Sequence, residues 1–567
     1  MKQIRSLLLC VVLLSAIIGL GAQEWAASAG STVSDWGSAI ATDNAGNSYV
    51  TGYFSNTIDF GTTTLTCAGT FDIYVAKLDP DGNWLWAKQA GGVGEDEGYG
   101  IAVDNDGNVY ITGYFEYTAM FGIFPLTSPG YHNIYVAKLT TDGTWLWANW
   151  AGGTGYNYGY GITTDDSGNC YITGQMDGTA SFGTTNLVSA GSYDVYIAKL
   201  NTNGVWQWAK RAGGTSYDAS RSIVFDGSSG IYVTGSFEET ADFGTDILTS
   251  AGSVDIFVCR LNTNGVWQWA ARAGGTGHEY ALGITTSGNG RIYITGYFIG
   301  VTDFNGTSLN SGNTNPDIFV AQLDDTGYWL WAVRAGGSNN EAAYGITADN
   351  NGYAYITGRF AESAHFGTTT LTSAGGWDVF VAKLDMSGNW LWAKRAGSTT
   401  QDVGNGIAAD DSGNCYVAGY FGNTAYFGSE QLISVGDYDV FVAKVSDPTP
   451  QIPQNISISN LGNDVIVEWD EVTLDTWDCS IMPDYYFVYY NTDGITEPYQ
   501  YLTFIPGNLT EYVHQHAGFF SSNHFYQVTA VKFYLADRLG LEDYLNANLR
   551  KDMTEAEVQQ VLHNLTE

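Results

Sequence analysis

The sequence has little positive charge for a chain of 567 residues. Lys and Arg total 22 against 59 Asp and Glu, which gives a formal net charge of −37 at pH 7. Because contacts to nucleic-acid phosphates require a basic face, this balance argues against a nucleic-acid partner. An acidic surface of this kind keeps a protein soluble and resists aggregation, so we expect a monomer.

Cysteine and histidine are also scarce. Five of the six cysteines follow the N-terminal apolar segment, and this odd number does not indicate a disulfide framework. The seven histidines show neither the spacing of zinc ligands nor that of a nucleophile and its base. We therefore expect no cofactor, no Cys or His metal centre, and no catalytic residues recognisable from the sequence.

Long apolar runs are absent beyond the N-terminus. Residues 1–22 begin with two basic side chains, continue with an apolar run from Leu7 to Leu20, and end in small residues. This order is typical of a secretory signal peptide. No later segment is apolar and long enough to span a membrane as a helix. We expect a secreted protein or one displayed on a bacterial cell surface.

The sequence does have a fixed period. The second tryptophan of a W-x-W pair recurs every 61 residues, with one step of 62 that results from an extra Asn305. The same period carries the segment Y-[IV]-[TA]-G. The tryptophans of the series are Trp86, Trp147, Trp208, Trp269, Trp331 and Trp392. A fixed period of this length indicates one supersecondary unit stacked on copies of itself.

Each period predicts four antiparallel strands. Residues 99–104 (YGIAVD) and 109–115 (VYITGYF) flank the hairpin-turn sequence Asn-Asp-Gly-Asn. A third strand at 133–139 leads through a second tight turn into a fourth at 145–148. Four antiparallel strands per repeat are typical of a propeller blade. A β-solenoid is the alternative, but antiparallel hairpins suit it poorly.

The two ends of the repeat array complement each other. The last repeat ends after residues 440–444 without a W-x-W strand, and the missing strand occurs at the start of the chain, where residues 24–30 read EWAASAG. If the N-terminal strand completes the last blade, the ring has no unpaired edge at its seam. We therefore predict an all-β fold with a seven-bladed propeller over residues 23–446.

These motifs resemble a known repeat. The segments G-I-A-x-D-x-x-G-N-x-Y-[IV]-T-G, D-[IV]-[FY]-V-A-K-L and W-x-W-A-x-x-A-G-G are similar to the bacterial SBBP repeat, a relative of NHL-type propellers. The resemblance covers residues 24–445. It implies a seven-bladed propeller in an extracellular protein and indicates almost nothing about activity, since propellers carry unrelated functions.

A second module follows a Pro-containing linker at residues 447–452. Predicted strands and Trp469 make residues 453–533 similar to a fibronectin type III sandwich, which usually serves as a spacer or adhesion unit. The period changes again at 534–567, where leucines at helical spacing and a capping box at Thr554 predict a helical tail.

Binding is expected on the propeller face that carries the long, variable connections. One position there is acidic or amide in every repeat and is predicted to surround the mouth of the central channel. Its members are Asp35, Asp96, Asn157, Asp218, Glu279, Glu341 and Asp402. Clustered carboxylates suit calcium or a polyol, so calcium is a possible ligand. The alternative is that each side chain accepts backbone hydrogen bonds and ties its loop to the next blade.

Positions that break the repeat are further candidates for binding. Aromatic side chains beside polar groups can stack on sugar rings, as in lectins, although each position has ordinary loop variation as its alternative. These residues are Glu95, Glu97, Trp150, Tyr156, Tyr158, Arg221, His278 and Tyr280.

Two functions are consistent with this pattern. The first is a secreted or cell-surface binding or adhesion protein without enzymatic activity, which uses the propeller as a platform for an extracellular protein or glycan. The second is a secreted enzyme acting on polysaccharides, with its site on the variable loop face.

Overall fold

The computed structural model describes the side chains of residues 24–288, 290–410 and 414–447, and the backbone of six strands between residues 457 and 531. The chain divides into two compact units, one of which is Ala22–Ser446 and the other Met1–Gly21 with Asp447–Glu567. Within the part described, no helix is long and apolar enough to cross a membrane.

Three predicted segments lie outside the described residues. They are the signal peptide at 1–22, the linker at 447–452 apart from its first residue, and the helical tail at 534–567. Trp469 also lies outside them.

The first unit is an all-β propeller of seven four-stranded antiparallel blades, as the repeat period predicted. The first strand of each blade is the inner one, and the seven inner strands contact one another in a closed circle. The inner strands are Trp36–Thr42, Glu97–Val103, Asn157–Thr164, Asp218–Phe225, Glu279–Thr286, Ala342–Ala348 and Val403–Ala409. The second strands are Ser48–Phe54, Val109–Phe115, Cys170–Phe182, Gly230–Phe237, Ile292–Phe298, Ala354–Phe360 and Cys415–Phe421.

The remaining two strands of each blade lead outward. The third strands are Asp72–Leu78, Asn133–Leu139, Thr185–Leu200, Asp255–Asn262, Asp317–Leu323, Asp378–Leu384 and Asp439–Val445. The outer strands are Trp84–Gly92, Trp145–Ala151, Trp206–Gly214, Trp267–Gly275, Trp329–Gly337, Trp390–Gly397 and, for blade 7, Trp25–Ala29.

The core lies between neighbouring blades. Val109–Phe115 and Asn133–Leu139 are buried at every position, because a sheet enclosed on both sides turns both of its faces to apolar neighbours. Ile73 of blade 1, for example, packs in one cluster with Ile111 and Phe115 of blade 2. Burial stabilises each such side chain by about 1.5–3 kcal/mol.

The W-x-W pairs hold adjacent blades together. In blade 1, the Trp84 indole donates a hydrogen bond to the carbonyl of Ser28 at 3.2 Å, which belongs to the outer strand of blade 7. The Trp86 indole donates to the carbonyl of Thr141 at 3.1 Å, in a turn of blade 2. In blade 1 the pair therefore links its blade to both neighbours.

The N-terminal strand closes the ring. Trp25–Ala29 runs antiparallel to the third strand of blade 7, with Trp25 opposite Lys444. The Trp25 indole donates to the carbonyl of Pro80 at 2.9 Å, which repeats across the seam the contact that Trp86 makes elsewhere. The Lys394 ammonium group binds the Glu24 carboxylate at 3.1 Å.

A small hairpin between the second and third strands forms a second connection between blades, and we call it the latch hairpin. In blades 1, 2, 4, 5, 6 and 7 it is Thr57–Phe60 with Thr63–Thr66, Thr118–Phe121 with Phe124–Thr127, Thr240–Asp242 with Ile247–Thr249, Val301–Phe304 with Thr307–Asn310, Ser363–Phe366 with Thr369–Thr372, and Thr424–Phe427 with Glu430–Ile433. In blade 3 the second and third strands are longer, and their paired ends form the hairpin. Each latch hairpin pairs with the end of the preceding blade's outer strand, as Ala119 does with Gly92.

The second unit contains two three-stranded antiparallel sheets. One sheet consists of Ser457–Leu461, Asp464–Glu468 and Glu511–His514, and the other of Tyr485–Asn491, Gln500–Pro506 and Phe525–Val531. The strand Glu511–His514 was not predicted from the sequence.

Candidate functional site

Every inner strand contains a β-bulge at the same position. In blade 2, Gly98 pairs with Gly113 and Gly100 with Thr112, so Tyr99 has no partner in the ladder. A bulge bends the strand and redirects the side chain of the extra residue. The seven bulged residues are Ser38, Tyr99, Tyr160, Arg221, Leu282, Tyr344 and Asn405.

All seven bulged residues line one cavity at the centre of the ring of inner strands. Its volume is about 760 Å³, within the range of about 300–1,000 Å³ common for small-molecule sites. The second strands add Tyr53, Tyr297, Arg359 and Tyr420 to the lining. Since the bulged position differs in chemistry from blade to blade, the cavity has unlike sides although the scaffold repeats.

One side is rich in tyrosine. The rings of Tyr99 and Tyr160 lie 5.4 Å apart, and the Tyr99 hydroxyl donates to the Glu97 carboxyl at 2.6 Å. Glu97 is buried beside these rings, and burial raises the pKa of its carboxyl. His132 extends the cluster, because its ring stacks on Tyr114 at 4.2 Å.

Another side is cationic. The Arg221 guanidinium lies 4.3 Å from the centre of the Tyr160 ring, and that of Arg359 lies 3.5 Å from the centre of the Trp377 ring. Tyr297 is influenced by both guanidinium groups. Burial raises its pKa to about 12, and the two positive charges oppose this rise.

The predicted ring of acidic and amide side chains occurs at the junctions between blades. All seven are 0 % exposed and none lines the cavity, so they do not surround its mouth as expected. In blade 2, Asp96 accepts backbone hydrogen bonds from Gly92 at 2.7 Å and Glu116 at 3.1 Å. This is the loop-tying arrangement that the sequence left open as an alternative.

Each of the six acids in this ring faces a second buried acid, and we call each such pair a junction dyad. Asn157, the amide of the ring, has no such partner acid. The dyads are Asp35 with Asp439, Asp96 with Asp72, Asp218 with Asp194, Glu279 with Asp255, Glu341 with Asp317, and Asp402 with Asp378. Burial, followed by the negative charge of the partner, raises the pKa of Asp96 to about 7. Burial also raises the pKa of Glu341 to about 7, and the negative charge of Asp317 contributes to this rise.

The seventh junction, between blades 2 and 3, differs from the other six. There both acids are replaced by amides, Asn133 and Asn157. In blade 3, Arg211 of the outer strand pairs with the dyad member Asp194. Trp150 holds the corresponding position in blade 2, opposite Tyr135. Trp150 therefore stands at the one described junction that has neither acid.

The candidate residues that break the repeat lie in different places. Arg221 lines the cavity. Trp150 is half-buried and packs against the core between blades 1 and 2. Tyr156 stacks on Tyr131 at 4.8 Å in a loop, and the backbone of Glu95 bonds to the Glu116 carboxylate at 3.3 Å. His278 is exposed.

Sequence reasoning missed most of the cavity lining. Tyr99 was predicted only as a strand residue, and Tyr160, Tyr344 and Arg359 were not singled out. The available signal was the variable residue two positions before the isoleucine of each inner strand, which stands between positions that repeat. No group of three or more His, Cys, Asp or Glu in the described part of the chain is placed to hold a metal ion.

Comparisons with known proteins agree with this architecture. Residues 17–53, 85–114, 207–236 and 391–420 match the SBBP beta-propeller repeat. The chain is 25% identical over 467 residues to an uncharacterised WD repeat-containing protein of Acanthamoeba polyphaga mimivirus, which covers 65% of this chain and 34% of that protein. It is 26% identical over 209 residues to regulatory protein FlaEY of Caulobacter vibrioides, and this match covers 35% of this chain and 22% of that protein. The chain thus spans about a third or less of these curated relatives.

Solved structures with a similar arrangement are distant. A gluconolactonase from Xanthomonas campestris has a TM-score of 0.30 at 12% identity, covering 61% of this chain and 85% of that enzyme. A puromycin hydrolase has a TM-score of 0.35 at 10% identity, and this match covers 76% of this chain and 58% of that enzyme. Similarity this low says nothing about the activity of the present protein.

Proposed function

We propose that this protein is a secreted or cell-surface binding protein that holds its ligand in the central channel of the propeller. The observation that supports this most strongly is the bulged position. Seven blades with the same framework direct seven mostly unlike side chains into one cavity of about 760 Å³. A purely structural position would be expected to repeat with the scaffold, whereas a recognition site needs different groups at fixed places.

Two features of the sequence support a location outside the cell. The N-terminal segment is typical of a signal peptide, and the motifs resemble repeats of extracellular propellers. The second unit fits a fibronectin III-like spacer, since its two three-stranded sheets run antiparallel throughout. The expected partner is an extracellular glycan or protein segment that enters the channel.

The polysaccharide-acting enzyme is the weaker candidate. Glycoside hydrolysis normally uses two carboxyl groups about 5–9 Å apart across the scissile bond. Among the described residues the cavity lining offers tyrosine, arginine, asparagine and aliphatic side chains, and no Asp or Glu. This chemistry suits binding better than hydrolysis.

The test is a screen of the chain from residue 23 onward on glycan and extracellular-protein arrays, followed by titration of each hit. Tyr160→Ala removes a ring from the cavity, and Tyr131→Ala removes an exposed ring (59% accessible) outside it. We expect Tyr160→Ala to weaken binding at least tenfold and Tyr131→Ala to leave it unchanged. A hit that binds both variants as it binds the parent, or silence across broad arrays, would contradict the proposal.

A further inference from the structure

The arginines of the propeller differ in their partners. Five form ion pairs with aspartates, namely Arg211, Arg260, Arg272, Arg334 and Arg395. Arg221 and Arg359 have no carboxylate partner among the described residues, and both line the central cavity. In a chain with 59 acidic and 22 basic residues, two arginines without an acid stand out.

Both unpaired guanidinium groups are held in place by aromatic rings. Arg221 lies over Tyr160 and Arg359 over Trp377, at 4.3 and 3.5 Å from the ring centres. The Nη2 of Arg359 donates a long hydrogen bond to the Asn340 amide at 3.4 Å, and its Nε is buried without a hydrogen-bond partner. Stacking fixes the plane of a guanidinium group and leaves its edge N–H groups free to donate.

A half-buried charge without a counterion is costly, and an anion in the cavity would offset that cost. The planar fork of arginine matches a carboxylate, to which it donates two parallel hydrogen bonds. Arg221 of blade 4 and Arg359 of blade 6 both line the cavity, on either side of Tyr297 of blade 5. A cavity of about 760 Å³ has room for far more than an inorganic ion.

The rest of the lining indicates what carries the carboxylate. Tyr99, Tyr160, Tyr344 and Tyr420 combine flat apolar faces with hydroxyl groups that donate and accept. A sugar ring has the matching combination of an apolar C–H face and a rim of hydroxyls. We propose that the central cavity binds an acidic saccharide, with Arg221 and Arg359 recognising its carboxylate groups. This deepens the proposed function and rests on it.

The test compares two ligands that differ only in charge. Binding of trigalacturonate is measured by calorimetry beside the same trisaccharide with its carboxylates reduced to alcohols. The proteins are the parent chain, Arg221→Gln, Arg359→Gln and Arg260→Gln. The last removes one positive charge from an arginine paired with Asp226 at 3.5 Å, away from the cavity lining. Melting temperatures verify that each variant folds, and Arg221→Lys replaces Arg221→Gln if that variant does not.

We expect the reduced trisaccharide and both cavity variants to show at least tenfold weaker binding, while Arg260→Gln binds trigalacturonate as the parent does. Equal affinity for the two trisaccharides would overturn the inference, as would parent-like binding by both cavity variants. Preference for a sulfated saccharide over the uronate would overturn the assignment of a carboxylate. If trigalacturonate fails but an array hit loses affinity in Tyr160→Ala, the inference falls and the proposed function stands.

Discussion

At the residue scale, the junction dyads make stability depend on pH in an uncommon direction. Burial raises the pKa of Asp35, Asp96 and Asp218 to about 7, above the value near 4 that they have in an unfolded chain. A carboxyl with a raised folded pKa contributes stability that is complete below its unfolded pKa. That contribution is lost as the pH rises through its folded pKa.

We therefore expect the melting temperature of the propeller to fall between pH 5 and pH 8. Asp43 and Asp104 have the opposite effect on stability, but only at lower pH. Burial alone would raise the pKa of these carboxyls, but the hydrogen bonds that they accept within their turns outweigh burial and lower it. Calorimetry of the chain from residue 23 onward across this range is the measurement. A melting temperature that rises steadily toward pH 8 would contradict the role assigned to the dyads.

A matched substitution isolates one dyad. Asp72→Asn with Asp96→Asn reproduces the amide pair that Asn133 and Asn157 form at the next junction, so the double variant is expected to fold. The double variant lacks the buried Asp96 carboxyl, which in the parent must lose its proton by pH 8. The free energy of unfolding of the variant, relative to that of the parent, should therefore rise by about 2 kcal/mol from pH 5 to pH 8. Denaturant titrations at both pH values measure this difference. A variant whose pH dependence equals that of the parent would show that the dyad does not titrate.

At the element scale, the latch hairpin joins its blade to the preceding one through a close backbone contact. A Cβ on Gly92 would lie 2.0 Å from the carbonyl oxygen of Thr118 in the hairpin of the next blade. Gly92→Ala should separate this pairing and lower the free energy of unfolding by about 1–3 kcal/mol. Thr127→Ala, at an exposed position of the same hairpin, should change it by less than about 0.5 kcal/mol. Equal effects of the two substitutions would argue against the latch.

The inner strands also show what the sequence could and could not predict. The blades were predictable because every motif recurs, and the seam because Trp25 lies one period before the first W-x-W pair. The cavity lining was not, because one inserted residue shifts the alternation of side chains and directs Tyr99 or Arg221 away from the faces that a regular strand gives them. The position of Asp96 was predicted, but not its burial, since that depends on a facing acid 24 residues earlier in the chain.

At the scale of the whole molecule, closure by the N-terminal strand holds the ring together. A chain that begins at Ser31 lacks Trp25–Ala29 and exposes the edge of Asp439–Val445, whereas one that begins at Gln23 keeps the closure. We expect the shorter chain to melt at a lower temperature and to associate through its free edge. Differential scanning calorimetry and light scattering on the two chains compare them. If they behave alike, the closing strand is not needed for the ring.

The cavity and the molecule as a whole also differ in the sign of their charge. The chain carries −37 overall, yet its central cavity is lined by two arginines and by no acidic residue among those described. A cationic channel in an acidic protein gives the ligand one place of favourable potential.

The most direct test is a crystal structure of the chain from residue 23 onward with the ligand selected by the arrays. We predict density for the ligand inside the ring of bulged residues, in contact with Tyr160 and with its anionic group on Arg221 or Arg359. Ligand density on the outer surface of the blades, with the cavity unchanged, would contradict the assignment of the channel as the binding site.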